Sequence, residues 1–325
     1  MHIQNSRPKI ESIQALRGLG AIVVTIFHAT SLYPEFNFKA GAAGVDVFFM
    51  LSGIVMYLSI NPKTSPLHFL KRRVIRVIPM YWLATTLTVA YVYARHGYIT
   101  PNNHLIRSYF FLPPGSFQMP LLYPGWTLNY EMLFYVILAV LLPLKKVTVP
   151  ASICLIAALG SLPAPAGLVE IAHMFNPLIL EFAAGLLAGI VISKGYRPTK
   201  AEATFYIFTA ILLFTIHNQA QSAGVIAWGI PSALLIMGAL GLEKLPLIKC
   251  KITQFSGEAS YSIYLFHPFA IWAVSWMTKD QASAFAFLCA IILSITGGCL
   301  THILVEKPML TMMLNKKFTY KNPHT

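Results

Sequence analysis

The chain has 325 residues, of which 56% are apolar and only 11% charged, and its mean hydropathy is +0.64. A soluble globular chain carries about 25% charged residues, so this composition excludes an ordinary cytosolic enzyme, and its hydrophobicity excludes a disordered chain. The formal net charge of +13 would point to nucleic acid only if it lay on a soluble surface, so its placement along the chain has to be read first.

A bilayer crossing needs about 20 mostly apolar residues. Taken in chain order, stretches of that kind run 13–33, 43–60, 77–94, 126–143, 147–162, 174–193, 203–217, 224–242, 259–278 and 283–305. They predict an all-α, polytopic membrane protein, a bundle of about ten transmembrane helices. The prediction is a single domain over 1–325, with a core at about 11–308, a basic tail at 309–325 and no soluble domain. The uncharged run from Ala203 to Leu242 is too long for one crossing, and its polar centre from His217 to Ser222 supplies a turn. The stretch 104–124 is broken by Pro113, Pro114, Gly115 and Pro120, which predicts a re-entrant or surface loop. Twelve mostly polar residues precede the first apolar stretch and no small-residue cleavage site follows it, unlike a cleavable signal. Cys154, Cys250, Cys289 and Cys299 show no CxxC spacing and lie in or beside apolar stretches. They are expected to be small buried side chains, with neither a disulfide framework nor a metal site.

With the N-terminus inside, the inner segments hold 19 Lys and Arg, and the outer loops hold four: Lys39, Arg95, Arg107 and Lys279. Cytoplasmic loops carry the excess of such residues, so both termini are predicted to be cytoplasmic. The basic charge is then mostly topology. The expected surroundings are a lipid bilayer, and no nucleic acid is needed.

An ionisable side chain within a membrane costs from about 2.5 kcal/mol upward and marks a functional position by default. The candidates are Arg17, His28, Asp46, Glu131, Glu181 and His267. Arg17 and His28 are eleven residues apart on one helix, which is three turns plus about 20° and roughly 16 Å along the axis. One face thus joins the two sides of the membrane. Depth counting brings Asp46 and Glu131 to the level of His28, which predicts a cluster in which a carboxylate orients the imidazole as a general base. The plainer alternative is a pair that holds helices together. Within Lys71-Arg72-Arg73-Val74-Ile75-Arg76, Arg73 and Arg76 share a helix face. Guanidinium forks suit phosphate, as on a coenzyme A donor; the other reading of such a run is topology and anionic lipid.

These residues also carry a resemblance. Arg17 to His28 resembles the arginine–ten residues–histidine motif of the acyltransferase-3 family of membrane acyltransferases. Gly44 to Gly53, with Phe48, Phe49, Ser52 and Gly53, resembles its FFxxSG signature, and Arg73 to Arg76 its RxxR element. Gly125 to Glu131, Ser260 to His267, and Glu181 to Gly185 are similar to further segments, in order over most of the chain. The TLNYE segment is most similar to the exopolysaccharide-production O-acetyltransferases. The resemblance implies a ten-helix bacterial inner-membrane enzyme that moves an acyl group, acetyl foremost, from cytoplasmic acyl-CoA to a glycan or lipid-linked oligosaccharide on the far side.

On that reading Arg17, Arg73 and Arg76 hold the phosphates of acetyl-CoA, and His28, oriented by Asp46 or Glu131, activates the acceptor hydroxyl. Trp126, Asn129, Glu181, Tyr264 and His267 are the expected substrate-binding residues. For Trp126 an interfacial belt position, and for Tyr264 and His267 a helix–helix hydrogen bond, stand as alternatives. A proton-coupled transporter using Asp46, Glu131 and His28 as a relay is the rival function, although the halves show no evident symmetry.

Overall fold

The computed structural model describes residues 10–315 apart from 62–63, 99, 114–118, 165–173, 221–223 and 280. Most of the predicted basic tail, Pro114, Gly115, and the Gln221 and Ser222 end of the predicted turn lie outside the described residues. The helices are α1 Glu11–Ala29, α2 Gly44–Ser59, α3 Pro66–His96, α4 Asn102–Tyr109, α5 Gly125–Leu141, α6 Thr148–Ser161 and α7 Leu180–Ser193. They continue as α8 Lys200–Gln219, α9 Val225–Gly241, α10 Pro246–Lys249, α11 Lys251–Glu258, α12 Ser260–Met277, α13 Ala284–Thr301 and α14 Lys307–Asn315. No strand occurs among the described residues.

Among the described residues, five helical stretches are long and apolar enough to cross a bilayer: Glu11–Leu32, Lys39–Ser59, Pro66–His96, Gly125–Ser161 and Ala284–Leu314. Pro177–Ser193 and Val225–Gly241 are shorter apolar helices. Large apolar side chains face outward, among them Phe205, Phe208 and Ile211 on α8 and Phe285, Leu288 and Ile292 on α13. An apolar exterior of this extent belongs against lipid rather than water. The chain is an all-α membrane protein.

Local chemistry sets the ends of these helices. Helix α3 begins eleven residues before the apolar stretch expected at 77–94. Pro66 occupies its first turn, where no intrahelical N–H is needed, and the Ser65 hydroxyl caps it by accepting from the His68 N–H. The basic run is therefore helical, and the helix closes at Gly97, which at φ 62° forms a left-handed C-terminal cap. Between α5 and α6 the connection is the 3₁₀ turn Leu142–Val147, in which Lys145 adopts φ 55° and ψ −107°. The segment expected to be a loop at 104–124 contains α4 and is tied to α3: the Tyr81 hydroxyl donates to the Ser108 carbonyl at 2.9 Å and the Trp82 indole to the Tyr109 carbonyl at 2.8 Å.

Two packing features position the site. Helix α2 lies against α7 with Gly53 facing Gly185, and a Cβ on Gly53 would stand 2.4 Å from the Phe182 carbonyl oxygen. That close approach needs glycine. Beside it, Phe49, Phe182 and Phe134 form a buried run with ring centroids 4.6 and 4.4 Å apart. At the far end of the chain a π-helical turn, His302–Glu306, follows α13. The Glu306 carboxylate accepts from the Ser262 hydroxyl at 2.6 Å and lies 2.8 Å from His302 Nδ1, which fastens this turn to α12.

Candidate active site

Three cavities formed by the described residues bear on the site. A basin of about 1080 Å³ opens at the end where α1 starts, and includes Gln14, Arg17, Arg76, Lys145, Lys146 and Arg197 in its lining. A neck of about 100 Å³ shares Arg17, Val55 and Arg76 with the basin and adds Arg73, Glu131, Tyr135 and Tyr264. At the opposite end a far cavity of about 470 Å³ is lined by His28, Ser31, Tyr123, Trp272 and Ser275 among others. Arg17 and His28 thus both face cavities from the one helix, at its two ends. Among the described residues, the neck and the far cavity have no lining residue in common.

The neck is built around three guanidinium groups and one carboxylate. Arg73 and Arg76 reach it together because they stand one turn apart on α3. Arg73 is fixed by a hydrogen bond from its Nη2 to the Ser59 hydroxyl at 3.2 Å and lies over the rings of Phe69 and Tyr135 at 5.5 and 5.7 Å. Glu131 accepts from the Ser52 hydroxyl at 3.2 Å and from the Tyr135 hydroxyl one turn along α5. The FFxxSG segment therefore has a double physical role: its serine holds Glu131, and its glycine admits α7. With one carboxylate against three arginines, the lining keeps an excess of two positive charges. That suits a phosphate-bearing ligand.

Between neck and far cavity stands a hydrogen-bonded wall carried largely by α12. The Tyr264 hydroxyl lies 2.8 Å from Thr127 Oγ1 and donates to the Pro124 carbonyl at 3.1 Å. Pro268, four residues on, has no N–H to give the Tyr264 carbonyl. His267 fills the gap: its Nδ1 lies 2.6 Å from that oxygen. A carbonyl only accepts, so Nδ1 carries the proton, and in the neutral ring Nε2 accepts from the Tyr123 hydroxyl at 3.1 Å. His267 is fully buried and stacks on His28, with ring centroids 5.1 Å apart; His28 also packs on Tyr123 at 4.8 Å.

The expected cluster of His28, Asp46 and Glu131 is not formed, and this corrects the depth argument. His28 touches His267 and Tyr123, whereas Glu131 faces the arginines. Asp46 is buried between α2 and α7 and interacts with Glu181. Neither Glu181 carboxylate oxygen has another hydrogen-bond partner among the described residues, and Glu181 Oε1 lies close to Gly229 on α9. Of the expected substrate-binding residues, Tyr264 lines the neck and His267 backs His28. Trp126, Asn129 and Glu181 line none of the three cavities. Trp126 packs edge-on against Phe49 and Tyr130, and the buried Asn129 amide donates to the Leu112 carbonyl at 3.4 Å. The tryptophan lining the far cavity is instead Trp272, stacked on Tyr91 at 4.9 Å. Tyr123, Trp272 and Tyr135 escaped the sequence reading, and Ser52 entered it only as part of the FFxxSG segment. For Trp272 a signal was present, since Tyr264, His267, Ile271 and Ser275 recur at helical spacing along the face it borders.

The fold is an α-helical membrane bundle with a cationic cavity at one end and a histidine–tyrosine cluster at the other, which defines the class as a membrane protein with a polar, two-ended interior. The comparisons make the class specific. The acyltransferase-3 family, described as an acyltransferase domain, matches residues 10–303, and the chain belongs to it. The exopolysaccharide production protein ExoZ of Rhizobium meliloti strain 1021 is 32% identical over 309 residues, which cover 88% of this chain and 94% of that protein. The acyltransferase MdmB of Streptomyces mycarofaciens is 23% identical over 324 residues, covering 84% of this chain and 82% of MdmB. No solved structure matches. The chain is an acyltransferase, which sets aside the transporter reading.

Proposed function

We propose that this enzyme transfers an acetyl group from cytoplasmic acetyl-CoA to a hydroxyl of an extracytoplasmic glycan, as a free polysaccharide or a lipid-linked oligosaccharide. In this reading it is one domain of ten transmembrane helices in a bacterial inner membrane, with both termini in the cytoplasm. The lysine and arginine asymmetry supports that orientation, in which the basin faces the cytoplasm and His28 the other side. The name of ExoZ supports an exopolysaccharide acceptor. The observation that carries the proposal is the opposite chemistry of the two ends of α1, with Arg17 in a cationic neck and His28 in a cavity whose described lining holds no lysine, arginine, aspartate or glutamate.

The donor's phosphates meet Arg17, Arg73 and Arg76, and its thioester arm enters the neck toward Tyr264. Tyr264, Thr127, His267 and Tyr123 stand between the neck and His28, so delivery of the thioester requires that wall to part. His28 then takes the proton of the acceptor hydroxyl. The hydroxyl oxygen bonds to the thioester carbonyl carbon, the C–S bond breaks, and the proton held by His28 goes to the departing thiolate. Trp272 offers a flat aromatic face to a sugar in the far cavity. Glu131 keeps the three arginines from repelling one another, and Asp46 with Glu181 joins α2 to α7.

A variant route acylates His28 first and passes the group to the acceptor in a second step. Labelled acetyl trapped on the protein without acceptor would select it. The proposal as a whole is tested by mass spectrometry of surface polysaccharide from cells with and without the gene, together with acetyl-CoA consumption by the purified protein in proteoliposomes. Loss of O-acetyl groups with the gene and consumption of the donor are expected. Identical glycans in the two strains would overturn the acceptor, and an inert donor would overturn acetyl-CoA.

A further inference from the structure

The basin is too large and too one-sided in charge to be only a vestibule. Arg17, Arg76, Lys145, Lys146 and Arg197 converge on it, and no aspartate or glutamate is among its lining residues. The neck, at about 100 Å³, has room for a thioester arm but not for a nucleotide; the basin, at about 1080 Å³, has room for one. Arg17 and Arg76 stand where the two meet. The other three cations come from separate places, Lys145 and Lys146 from the α5–α6 turn and Arg197 from beyond the end of α7.

Two of these positions carry structural constraints. Lys145 holds φ 55° and ψ −107°, a conformation that a side-chain-bearing residue rarely adopts and that tends to persist where function requires it. Arg197 donates twice from Nη1, to the Ile192 carbonyl at 2.9 Å and the Tyr196 carbonyl at 2.8 Å, which orients the guanidinium and leaves its other nitrogens for a ligand. A rule that merely places lysines on the cytoplasmic side requires neither a strained turn nor convergence on one cavity.

We infer that Lys145, Lys146 and Arg197 form a second anion subsite, which binds the 3′-phosphate of the donor's adenosine, while Arg17, Arg73 and Arg76 take the diphosphate. The inference rests on the acyl-CoA reading and deepens it: the enzyme selects a nucleotide-bearing thioester over a bare phosphopantetheine thioester. Ile10, Ile13, Val149 and Pro150 give the basin an apolar wall for the adenine.

The test is direct binding of labelled donors to the purified full-length protein in phosphatidylcholine nanodiscs. Three donors are compared: acetyl-CoA, acetyl-3′-dephospho-CoA and S-acetyl-4′-phosphopantetheine. The wild type is expected to bind acetyl-CoA about tenfold more tightly than the dephospho form. A Lys145→Ala/Lys146→Ala double variant, and Arg197→Ala separately, are expected to erase that preference while binding the phosphopantetheine thioester as the wild type does. Lys145→Gly gives an independent check, because glycine relieves the positive φ: thermal stability should rise while acetyl-CoA affinity falls. Equal weakening toward all three donors, or no weakening, overturns the subsite. So does an effect of the variants that appears only in phosphatidylglycerol nanodiscs, which would assign these cations to lipid headgroups. A wild type that binds no acetyl-CoA at all overturns the acyl-CoA reading itself, so the two failures are distinguishable.

Discussion

The two ends of the bundle are lined by different chemistry. Where α1 begins, the basin and neck carry six cations and a single carboxylate. Where α1 ends, the far cavity is lined by His28, Tyr123, Trp272, two serines and aliphatic side chains, and no lysine, arginine, aspartate or glutamate lines it among the described residues. Fixed charges recruit an anionic, phosphate-rich ligand and are costly to bring near the bilayer centre. Neutral hydrogen-bonding and aromatic groups suit a sugar hydroxyl and leave His28 without a competing carboxylate contact. In the proposed mechanism binding strength resides at one end and proton transfer at the other, with α12 as the wall between them.

The sharpest way to break this division is His28→Ala. Removing the base at the far cavity should lower acetyl transfer by about 10²–10⁴-fold while donor affinity at the other end stays unchanged. O-acetyl content and labelled acetyl-CoA binding, measured on the same membranes, check both halves. Weakened donor binding would mean that the two ends do not act separately. Arg17→Ala tests the converse, with an expected rise of about 10–100-fold in donor Kd. Arg17→Lys should recover only part of that, because an ammonium lacks the guanidinium fork.

Much of this was legible in the sequence, and most of what was missed has a geometrical cause. Apolar length and helical period give the depth of a residue and the residues that share its face. They located Arg17, His28, Arg73 and Arg76, all of which reach cavities. They do not give the direction in which a helix is rotated against its neighbours. Asp46 and Ser52 are six residues apart on α2, about 240° round the helix, so Asp46 meets Glu181 on α7 while Ser52 meets Glu131 on α5. Trp126 and Thr127 are adjacent, yet only Thr127 turns toward the neck. The wall at His267 depends on a carbonyl freed by Pro268, a detail that the sequence contains but hydropathy does not weigh.

Gly53→Ala separates scaffold from chemistry. The added methyl would press on the Phe182 carbonyl, and such overpacking costs about 1–3 kcal/mol. The expected result is a lower unfolding temperature, with both donor binding and transfer reduced in proportion to the folded fraction. A selective loss at either end would show instead that the α2–α7 contact tunes that end.

The smallest expected effect comes from Tyr123→Phe. The substitution keeps the ring that packs on His28 but removes the hydroxyl 3.1 Å from His267 Nε2. His267 keeps its bond to the Tyr264 carbonyl, so its orientation survives and the loss amounts to one hydrogen bond, about 0.5–1.5 kcal/mol. A two- to tenfold fall in kcat is therefore expected, about the rate equivalent of that energy, with KM for the donor unchanged. His267→Gln should cost more than Tyr123→Phe, since it removes the ring stacked on His28 as well. If Tyr123→Phe proved as severe as His28→Ala, the tyrosine hydroxyl would have to act on the reacting atoms, and the far end would hold two proton-handling groups instead of one base with its support.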